Sequence, residues 1–186
     1  LGNLVALTQS NVKRMLAYSS IANMGFVLTG FLAANPNGYS AAMFYTVAYV
    51  LTSLASFGMI MLLSREGFEA DQLADFRGLN QRSPWWALMM LLAMFSLAGV
   101  PPTIGFYAKL TVLQAAVDAG FVWLAVVAVM TSLVGAFYYL RVVKLMYFDD
   151  ATDLAPIAAR ADNRALLSVN GLALLVFGVL PQPLLG

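Results

Sequence analysis

The chain has 186 residues, of which 61% are apolar and 10% charged, whereas an ordinary soluble domain is roughly 45–50% apolar and 25% charged. This composition excludes an independent soluble enzyme and indicates a membrane protein. Ten Lys and Arg against nine Asp and Glu leave a net charge of +1, which gives no basis for nucleic-acid binding. Because Cys and His are absent, the chain itself cannot supply a haem histidine, an iron–sulfur cluster, a Cys/His zinc site or a Ser-His-Asp triad.

The first two spans are predicted from a long segment without charges. The sequence begins without Met or the basic region of a signal peptide, and residues 1–7 are predicted to end a preceding transmembrane helix of a longer chain. Charges are then absent over the fifty residues 15–64, a run that suits two spans of about 20 residues. The turn residues Asn35-Pro36-Asn37-Gly38 divide the run and place spans at about 15–34 and 41–63.

The remaining sequence predicts three further spans in a membrane domain that covers residues 8–186. A polar stretch, 64–83, is long enough for a short interfacial helix. The spans that follow are predicted at about 84–118, which is broken near 99–105, then at about 121–141 with a tail to Phe148, and at about 165–182. The fold class is therefore all-α: a polytopic transmembrane bundle of five spans with one discontinuous helix.

The basic residues orient these spans, because Lys and Arg accumulate in short cytoplasmic loops. The loops on one side carry nine basic residues: Lys13, Arg14, Arg65, Arg77, Arg82, Arg141, Lys144, Arg160 and Arg164. The loops on the other side, 35–40 and 118–120, carry none. Trp85-Trp86 and Tyr138-Tyr139 fall near predicted cytoplasmic ends, where aromatic residues commonly form interfacial belts.

The third span contains the sequence SLAGVPPTIG, which is unfavourable for a continuous helix. Proline removes a backbone donor and clashes with the preceding turn, and this segment contains Pro101, Pro102, Gly99 and Gly105. Unpaired backbone is costly in lipid, so the break must be sheltered by protein or line a water-filled cavity. Broken helices of this kind occur at ion-coupling sites in transporters.

Lys109 is the candidate functional residue of the broken span. It lies nine residues before Asp118, or roughly 13–14 Å along a helix, which places it near the middle of a bilayer core about 30 Å thick. Desolvation and the positive end of the second half-helix should both disfavour its charged form, so Lys109 is predicted to relay protons. The alternative is a lysine whose stem reaches back to the non-cytoplasmic interface.

Other polar side chains in the spans allow two interpretations. Tyr45, Tyr49 and Ser53 repeat every four residues, and they either support a water wire or form hydrogen bonds between helices. The same alternatives apply to Ser19, Ser20 and Asn23. Lys13 either anchors the cytoplasmic end of the first span or lines an access route for protons.

Three segments together resemble the antiporter-like membrane subunits of respiratory complex I: NVKRMLAYSS at 11–20, FRGL at 76–79 and SLAGVPPTIGFYAK at 96–109. The resemblance is closest to the N type of subunit. The M type usually has a glutamate where this chain has Lys109, and the L type has histidines on the helix that here carries Tyr45, Tyr49 and Ser53. The family chain has fourteen helices in two inverted five-helix repeats, and the five predicted spans would be helices ten to fourteen.

The resemblance implies a proton-translocating subunit of an NADH-quinone oxidoreductase, in which Lys109 belongs to a proton half-channel on the broken helix. It implies that this chain binds no cofactor, because NADH, flavin mononucleotide, iron–sulfur clusters and quinone are held by other subunits. The implied partners are other membrane subunits of the complex, including further antiporter-like subunits, together with lipids and protons.

Two alternatives share parts of this pattern. An Mrp-type cation/proton antiporter subunit or a membrane-bound hydrogenase subunit would have a similar broken helix. A structural membrane subunit without a proton path would hold Lys109 in a static pair with a carboxylate of a neighbour. The expected location is the bacterial inner membrane, or alternatively an organellar energy-transducing membrane.

Overall fold

A computed structural model describes residues 1–64, 67–157 and 160–181, and within these ranges it forms helices and no β-strand. The α-helices are α1 Gly2–Leu7, α2 Val12–Leu32, α3 Pro36–Leu63, α4 Leu79–Arg82, α5 Pro84–Ala98, α6 Ile104–Asp118, α7 Val122–Phe148 and α8 Ala161–Val179. A short 3-10 helix, Leu73–Phe76, precedes α4. The all-α prediction is thereby confirmed.

Three helices, α2, α3 and α7, are long and apolar enough to cross a membrane, and α5 is a shorter apolar helix. The predicted spans at 15–34, 41–63 and 121–141 overlap these three long helices, and α7 continues to Phe148. The predicted span at 165–182 overlaps α8, which ends at Val179. Position 182, the last of the predicted span, lies outside the described residues. The first turn of α8 is polar, with Asp162, Asn163 and Arg164.

The turn between α2 and α3 is built by the Asn-Pro-Asn-Gly segment. The side chain of Asn35 accepts a hydrogen bond of 2.8 Å from the backbone N–H of Gly38, which caps α3, and Pro36 occupies the first helical turn, where its missing N–H has no cost. A β-carbon on Gly38 would overlap the carbonyl oxygen of Gly30. Glycine therefore allows α2 and α3 to meet tightly at this end.

The polar stretch between α3 and α5 forms short turns where the sequence predicted an interfacial helix. The 3-10 helix and α4 each have four residues, and the backbone pairs with the start of α2 through an isolated bridge between Asn11 and Gln72.

A hydrogen bond from the Gln72 side chain holds the pKa of Asp71 below its usual value. Arg65, one of the basic residues used to orient the spans, lies outside the described residues.

The predicted discontinuous helix is present as two helices, α5 and α6, separated by residues 99–103. α5 packs against α3, α7 and α8, and α6 packs against α2, α3, α7 and α8. Thr103, at the end of the non-helical segment, is buried among these helices, whereas Pro101 and Pro102 are exposed on the surface of the described chain. These helices therefore supply only part of the shelter that irregular backbone needs at membrane depth.

The distribution of polarity is that of a membrane protein. Large apolar side chains on the outer face of α7 are exposed, including Trp123, Met130 and Phe137. Buried polar side chains face the interior of the bundle: Ser19, Asn23, Thr29, Thr52, Ser56, Ser96 and Thr103. An apolar exterior around a partly polar interior fits a lipid environment, because lipid does not penalise the exposed apolar surface.

α8 closes the bundle over the break through Gly178. A β-carbon at Gly178 would overlap the carbonyl oxygen of Pro102 and the backbone carbon of Thr103. Both neighbours are backbone atoms, which cannot rotate away as a flexible side chain could. The position therefore requires glycine for α8 to reach the non-helical segment.

We expect Gly178→Ala to lower the free energy of unfolding of the full-length protein by about 1–3 kcal/mol, because the added methyl overpacks the contact. The melting temperature in detergent provides the measurement. Gly25→Ala is the matched control: Gly25 is also helical, and a β-carbon at this position would have no neighbouring atom within 4 Å, so alanine should not destabilise the protein. Equal melting temperatures for the two variants would contradict the close contact at Gly178.

Candidate functional site

The end of α5 leaves four carbonyl oxygens without partners in the next helical turn, those of Phe95, Ser96, Leu97 and Ala98. The backbone satisfies the first two. Gly99, in the left-handed conformation at φ +81°, donates its N–H to Phe95 and Ser96 at 2.9 and 3.1 Å, and Val100 donates to Phe95 at 2.9 Å. This is a Schellman arrangement, and it does not provide donors for Leu97 and Ala98.

Lys109 satisfies the remaining two carbonyls. Its Nζ donates to the carbonyl oxygen of Leu97 at 2.9 Å and to that of Ala98 at 3.0 Å. A third hydrogen bond of 2.8 Å joins Nζ to Oγ of Ser132 on α7, and Nζ lies 5.3 Å from the ring centre of Phe26 on α2. The ammonium therefore has three hydrogen-bond partners and an aromatic face.

The side chain of Lys109 crosses the break in the direction that helix geometry favours. Lys109 lies in the second turn of α6, and helical side chains lean toward the N-terminus of their own helix. Its stem therefore extends back over residues 99–103 and away from Asp118. This orientation contradicts the alternative in which the lysine reaches the non-cytoplasmic interface.

The sequence placed the ammonium near the positive end of α6, but the structure places it against the negative end of α5. The carbonyl oxygens of Leu97 and Ala98 carry the partial negative charge of a helix C-terminus, which stabilises a cation. No carboxylate pairs with Lys109 among the ion pairs of the described residues. Neutral dipoles, a hydroxyl and an aromatic ring therefore hold the charge.

Gly99 provides space for this lysine. A β-carbon at Gly99 would lie 2.8 Å from Cδ of Lys109 and 3.3 Å from both Cε and Nζ. The position thus combines a positive φ with a tight contact to the lysine stem. The other predicted break residues divide into two groups: Pro101 and Pro102 lie in the non-helical segment, whereas Gly105 lies in the first turn of α6.

Gly105 differs from the prediction because its requirement is close packing and not a break in the helix. A β-carbon there would overlap the carbonyl oxygen of Ser96. The N–H of Gly105 is one of the unpaired donors at the start of α6, and it donates to Oγ of Ser96 at 3.2 Å. Gly105 therefore holds the first turn of α6 against the last turn of α5.

A small polar cavity adjoins Lys109. It offers about 10 Å³ to the centre of a water molecule, which is room for about one water. Its polar lining comes from four helices: Asn3, Asn23, Lys109, Ser132, Tyr138 and Tyr139. The lysine therefore shares this cavity with hydroxyls and amides as well as with the apolar side chains of Phe26 and Leu97.

The cluster is linked by hydrogen bonds that reach from α1 to α3. The hydroxyl of Tyr138 donates to Oδ1 of Asn3 at 2.8 Å, and the hydroxyls of Tyr138 and Tyr139 are 3.4 Å apart. Ser19 and Tyr139 share a hydrogen bond of 2.6 Å. The hydroxyl of Tyr45 donates to Oδ1 of Asn23 at 2.7 Å.

Tyr45 therefore belongs to the polar cluster around Lys109. Its ring is buried and stacks on Phe26, the residue that also faces the ammonium, at 5.5 Å between ring centres. A second cavity of about 10 Å³ is also lined by Asn23. Tyr45, Tyr49, Thr52 and Ser96 contribute to its polar lining.

Ser53, the third residue of the predicted stripe, is not among the residues that line either cavity. Its neighbour Thr52 lines the second cavity instead. The reason is helix geometry. At about 100° per residue, a position seven residues after Tyr45 returns to within about 20° of its direction, whereas a position eight residues later is turned by about 80°. Thr52 donates to or accepts from Ser96 at 2.8 Å across the interior.

Lys13 lies away from this cluster. Its Nζ forms a salt bridge of 2.9 Å with Glu69, and both side chains are substantially exposed. Ser19, the nearest member of the hydrogen-bonded cluster on α2, is six residues further along the helix, or about 9 Å. This placement agrees with an anchor at the end of the span and gives no contact that supports an access route.

The predicted aromatic belt is wrong for Tyr138 and Tyr139. Both side chains are almost fully buried and face the interior, because α7 continues about 15 Å beyond Tyr138 to Phe148. Of the two tryptophans assigned to the predicted belt, Trp86 is buried and Trp85 is exposed. Ser132 was not predicted as a site residue from the sequence, although Ser132, Gly135 and Tyr139 repeat at i, i+3 and i+7, the spacing of one helix face.

No group of three or more His, Asp or Glu side chains that could hold a metal ion occurs among the residues described here. The polar cluster instead consists of one amine, hydroxyls and amides. These groups donate, accept and pass protons, and they are poor ligands for a redox metal.

The fold and the cluster together define a class: a polytopic α-helical membrane protein with a discontinuous helix and a partly buried lysine at the break. A family profile described as the transmembrane part of NADH:quinone oxidoreductase/Mrp antiporter proteins matches residues 1–135. The chain belongs to this family.

Curated relatives agree with the family match. A protein of Thiobacillus denitrificans is 65% identical over 185 residues, and one of Nitrosomonas europaea is 62% identical over 185 residues. Each match covers 100% of this chain, and each of these proteins is named NADH-quinone oxidoreductase subunit N. The chain spans 38% of the length of both relatives.

Solved structures show the same fold. A chain of respiratory complex I from Thermus thermophilus with bound aureothin matches with a TM-score of 0.86 and 34% identity, over 99% of this chain and 42% of that chain. A chain of the Mrp complex from Dietzia matches with a TM-score of 0.85 and 24% identity, over 99% of this chain and 42% of that chain. At that identity, the Dietzia match supports the fold alone.

We expect Gly99→Ala to displace the Lys109 ammonium from α5, because the added methyl meets the lysine stem. Gly120→Ala is the matched control, since Gly120 has a similar φ of +85° but no atom within 4 Å of its β-carbon position. Both variants carry the backbone strain of a positive φ, so the difference between their melting temperatures isolates the lysine contact. A larger decrease in melting temperature for Gly99→Ala than for Gly120→Ala supports the contact with Lys109, and equal decreases would contradict it.

Proposed function

We propose that this chain is part of subunit N of a bacterial NADH-quinone oxidoreductase and that it moves protons across the membrane by way of Lys109. The high identity to relatives of that name, over the whole chain, supports the assignment. The expected location is the bacterial inner membrane, and the expected partners are the other membrane subunits of the complex. Oxidation of NADH and reduction of quinone would occur in other subunits, because a chain without Cys and His lacks ligands for iron–sulfur clusters.

The observation that carries this proposal is the absence of a carboxylate partner for Lys109 in the described part of the chain. Loss of a proton from a lysine in a buried ion pair would leave an uncompensated anion, which is strongly unfavourable. Here the partners are the carbonyl oxygens of Leu97 and Ala98 and the hydroxyl of Ser132, which remain neutral when the proton leaves. The site can therefore hold the lysine in both protonation states.

The energy that drives the change would come from the rest of the complex. One pKa unit corresponds to about 1.4 kcal/mol, so a modest change in the local field or hydration is sufficient to shift the protonation of a buried amine. Redox-linked charge movement in neighbouring subunits would supply this change. Two small cavities, both lined by Asn23, provide room for water beside the lysine and beside Tyr45.

The same geometry argues against a purely structural role. In that alternative Lys109 would pair with a carboxylate of a neighbour, but its three N–H donors are already used within this chain. An Mrp-type antiporter would share the fold. Copurification with NADH dehydrogenase modules, rather than with other antiporter subunits, distinguishes the two.

We expect Lys109→Met in the intact complex to reduce proton pumping by at least about tenfold, because the variant keeps the stem but removes the group that carries the proton. Lys109→Arg should also impair pumping, since a guanidinium does not readily lose its proton. Proton uptake by inverted membrane vesicles during NADH oxidation is the measurement.

Lys144→Met serves as the control, because Lys144 is an exposed lysine that pairs with Asp149 at 3.0 Å. Assembly of the complex is measured in parallel. Normal assembly with lost pumping supports the relay. Lost assembly favours the structural alternative, and undiminished pumping in Lys109→Met rejects the proposed role of Lys109.

A further inference from the structure

The three hydrogen bonds of the Lys109 ammonium are not equivalent. Two of them end on backbone carbonyl oxygens, those of Leu97 and Ala98, at 2.9 and 3.0 Å. A peptide carbonyl accepts a hydrogen bond but does not bind and pass on a proton near neutral pH. The third ends on the hydroxyl of Ser132 at 2.8 Å, and a hydroxyl both accepts and donates.

The donor count of lysine reinforces this distinction. An ammonium has three N–H donors, and a neutral amine has two N–H donors and one lone pair. After loss of one proton, the two remaining donors can stay on the carbonyl oxygens, which would otherwise be orphaned at the end of α5. The lone pair then points toward Ser132, whose hydroxyl can reverse its direction and donate to the nitrogen.

We propose that Ser132 on α7 is the residue that receives the proton from Lys109 and returns it, so that proton exchange occurs on the α7 side of the lysine. This inference rests on the proposed function and names the exchange partner within it. Two observations favour Ser132: its hydroxyl contacts Nζ of Lys109, and its side chain also lines the cavity beside the lysine.

The transfer balances with one water molecule as the co-reactant. An N–H bond of Lys109 breaks as Oγ of Ser132 binds that proton, and the original O–H proton of Ser132 passes to a water in the adjoining cavity. Ser132 ends neutral, Lys109 ends as the free amine, and the water carries the proton onward. The cavity has room for about one water, so the step needs no larger channel at this point.

The groups that surround this cavity continue the path. Tyr138 and Tyr139 provide hydroxyls 3.4 Å apart, and Tyr138 is hydrogen-bonded to Asn3 on α1. The second cavity, which Tyr49 and Thr52 line, is bordered by Leu97 and Ala108 and not by Lys109 itself. The immediate contacts of the ammonium therefore favour exchange toward α7 and α1 over exchange toward α3.

The test compares Ser132→Ala with Ser132→Thr in the assembled complex. Removal of the hydroxyl should slow proton pumping by at least about tenfold, since positioned proton-transfer groups contribute about 10²–10⁴-fold and water replaces them only in part. Ser132→Thr keeps a hydroxyl and should recover most of the pumping. Thr131→Val is the control: it removes the neighbouring hydroxyl on α7, which is bonded to Ala128 of its own helix.

Each outcome decides the inference. A loss in Ser132→Ala with recovery in Ser132→Thr and normal assembly supports it. Normal pumping in Ser132→Ala overturns it, as does an equal loss in both Ser132 variants, which would assign the effect to packing. Loss of assembly in Ser132→Ala also counts against a role confined to proton exchange. If Lys109→Met abolishes pumping while Ser132→Ala does not, this inference fails and the proposed function stands.

Discussion

The structure depends on one constraint: the carbonyl oxygens at the end of an interrupted helix need donors where lipid provides none. The Gly99 turn supplies donors for Phe95 and Ser96, and the Lys109 ammonium supplies them for Leu97 and Ala98. The lysine therefore completes the cap of α5. The lysine that caps α5 is also the group that we propose gains and loses a proton.

The packing around the break follows from the same constraint. Irregular backbone at membrane depth must be covered, and close coverage leaves no room for side chains at the contact points. Gly99, Gly105 and Gly178 are the positions where an added β-carbon would meet the lysine, α5 or the break itself. Their glycines allow α5, α6 and α8 to meet closely at these points, while polar side chains of α2, α3 and α7 supply the hydrogen bonds of the interior.

The sequence predicted the features that depend on local chemistry. Hydropathy and turn residues located the helices, and Pro101, Pro102 and Gly99 located the break in the helix. The direction of a side chain across the break, and its partners on distant helices, depend on tertiary packing. The pairing of Lys109 with Leu97, Ala98 and Ser132 was therefore not predicted, and the ammonium was assigned to the opposite helix end.

Two further errors had identifiable physical causes. The stripe through Tyr45 and Ser53 was extended at intervals of four, although a helix face returns more closely after seven residues, at Thr52. Tyr138 and Tyr139 were assigned to the interface because the membrane-crossing part of α7 was predicted to end near residue 141, with only a tail to Phe148, whereas the structure has one helix that reaches Phe148. In both cases a small error in helical phase or length moved a polar side chain between the interior and another environment.

The most direct test of the central claim is an experimental structure of the assembled complex in a lipid environment at neutral pH, with side chains and ordered water resolved around the break. The account predicts that Nζ of Lys109 lies within hydrogen-bond distance of the carbonyl oxygens of Leu97 and Ala98, on the inner side of a helix interrupted at 99–103. A lysine that faces lipid headgroups or bulk water, or an α5–α6 segment that forms one continuous helix, would contradict it.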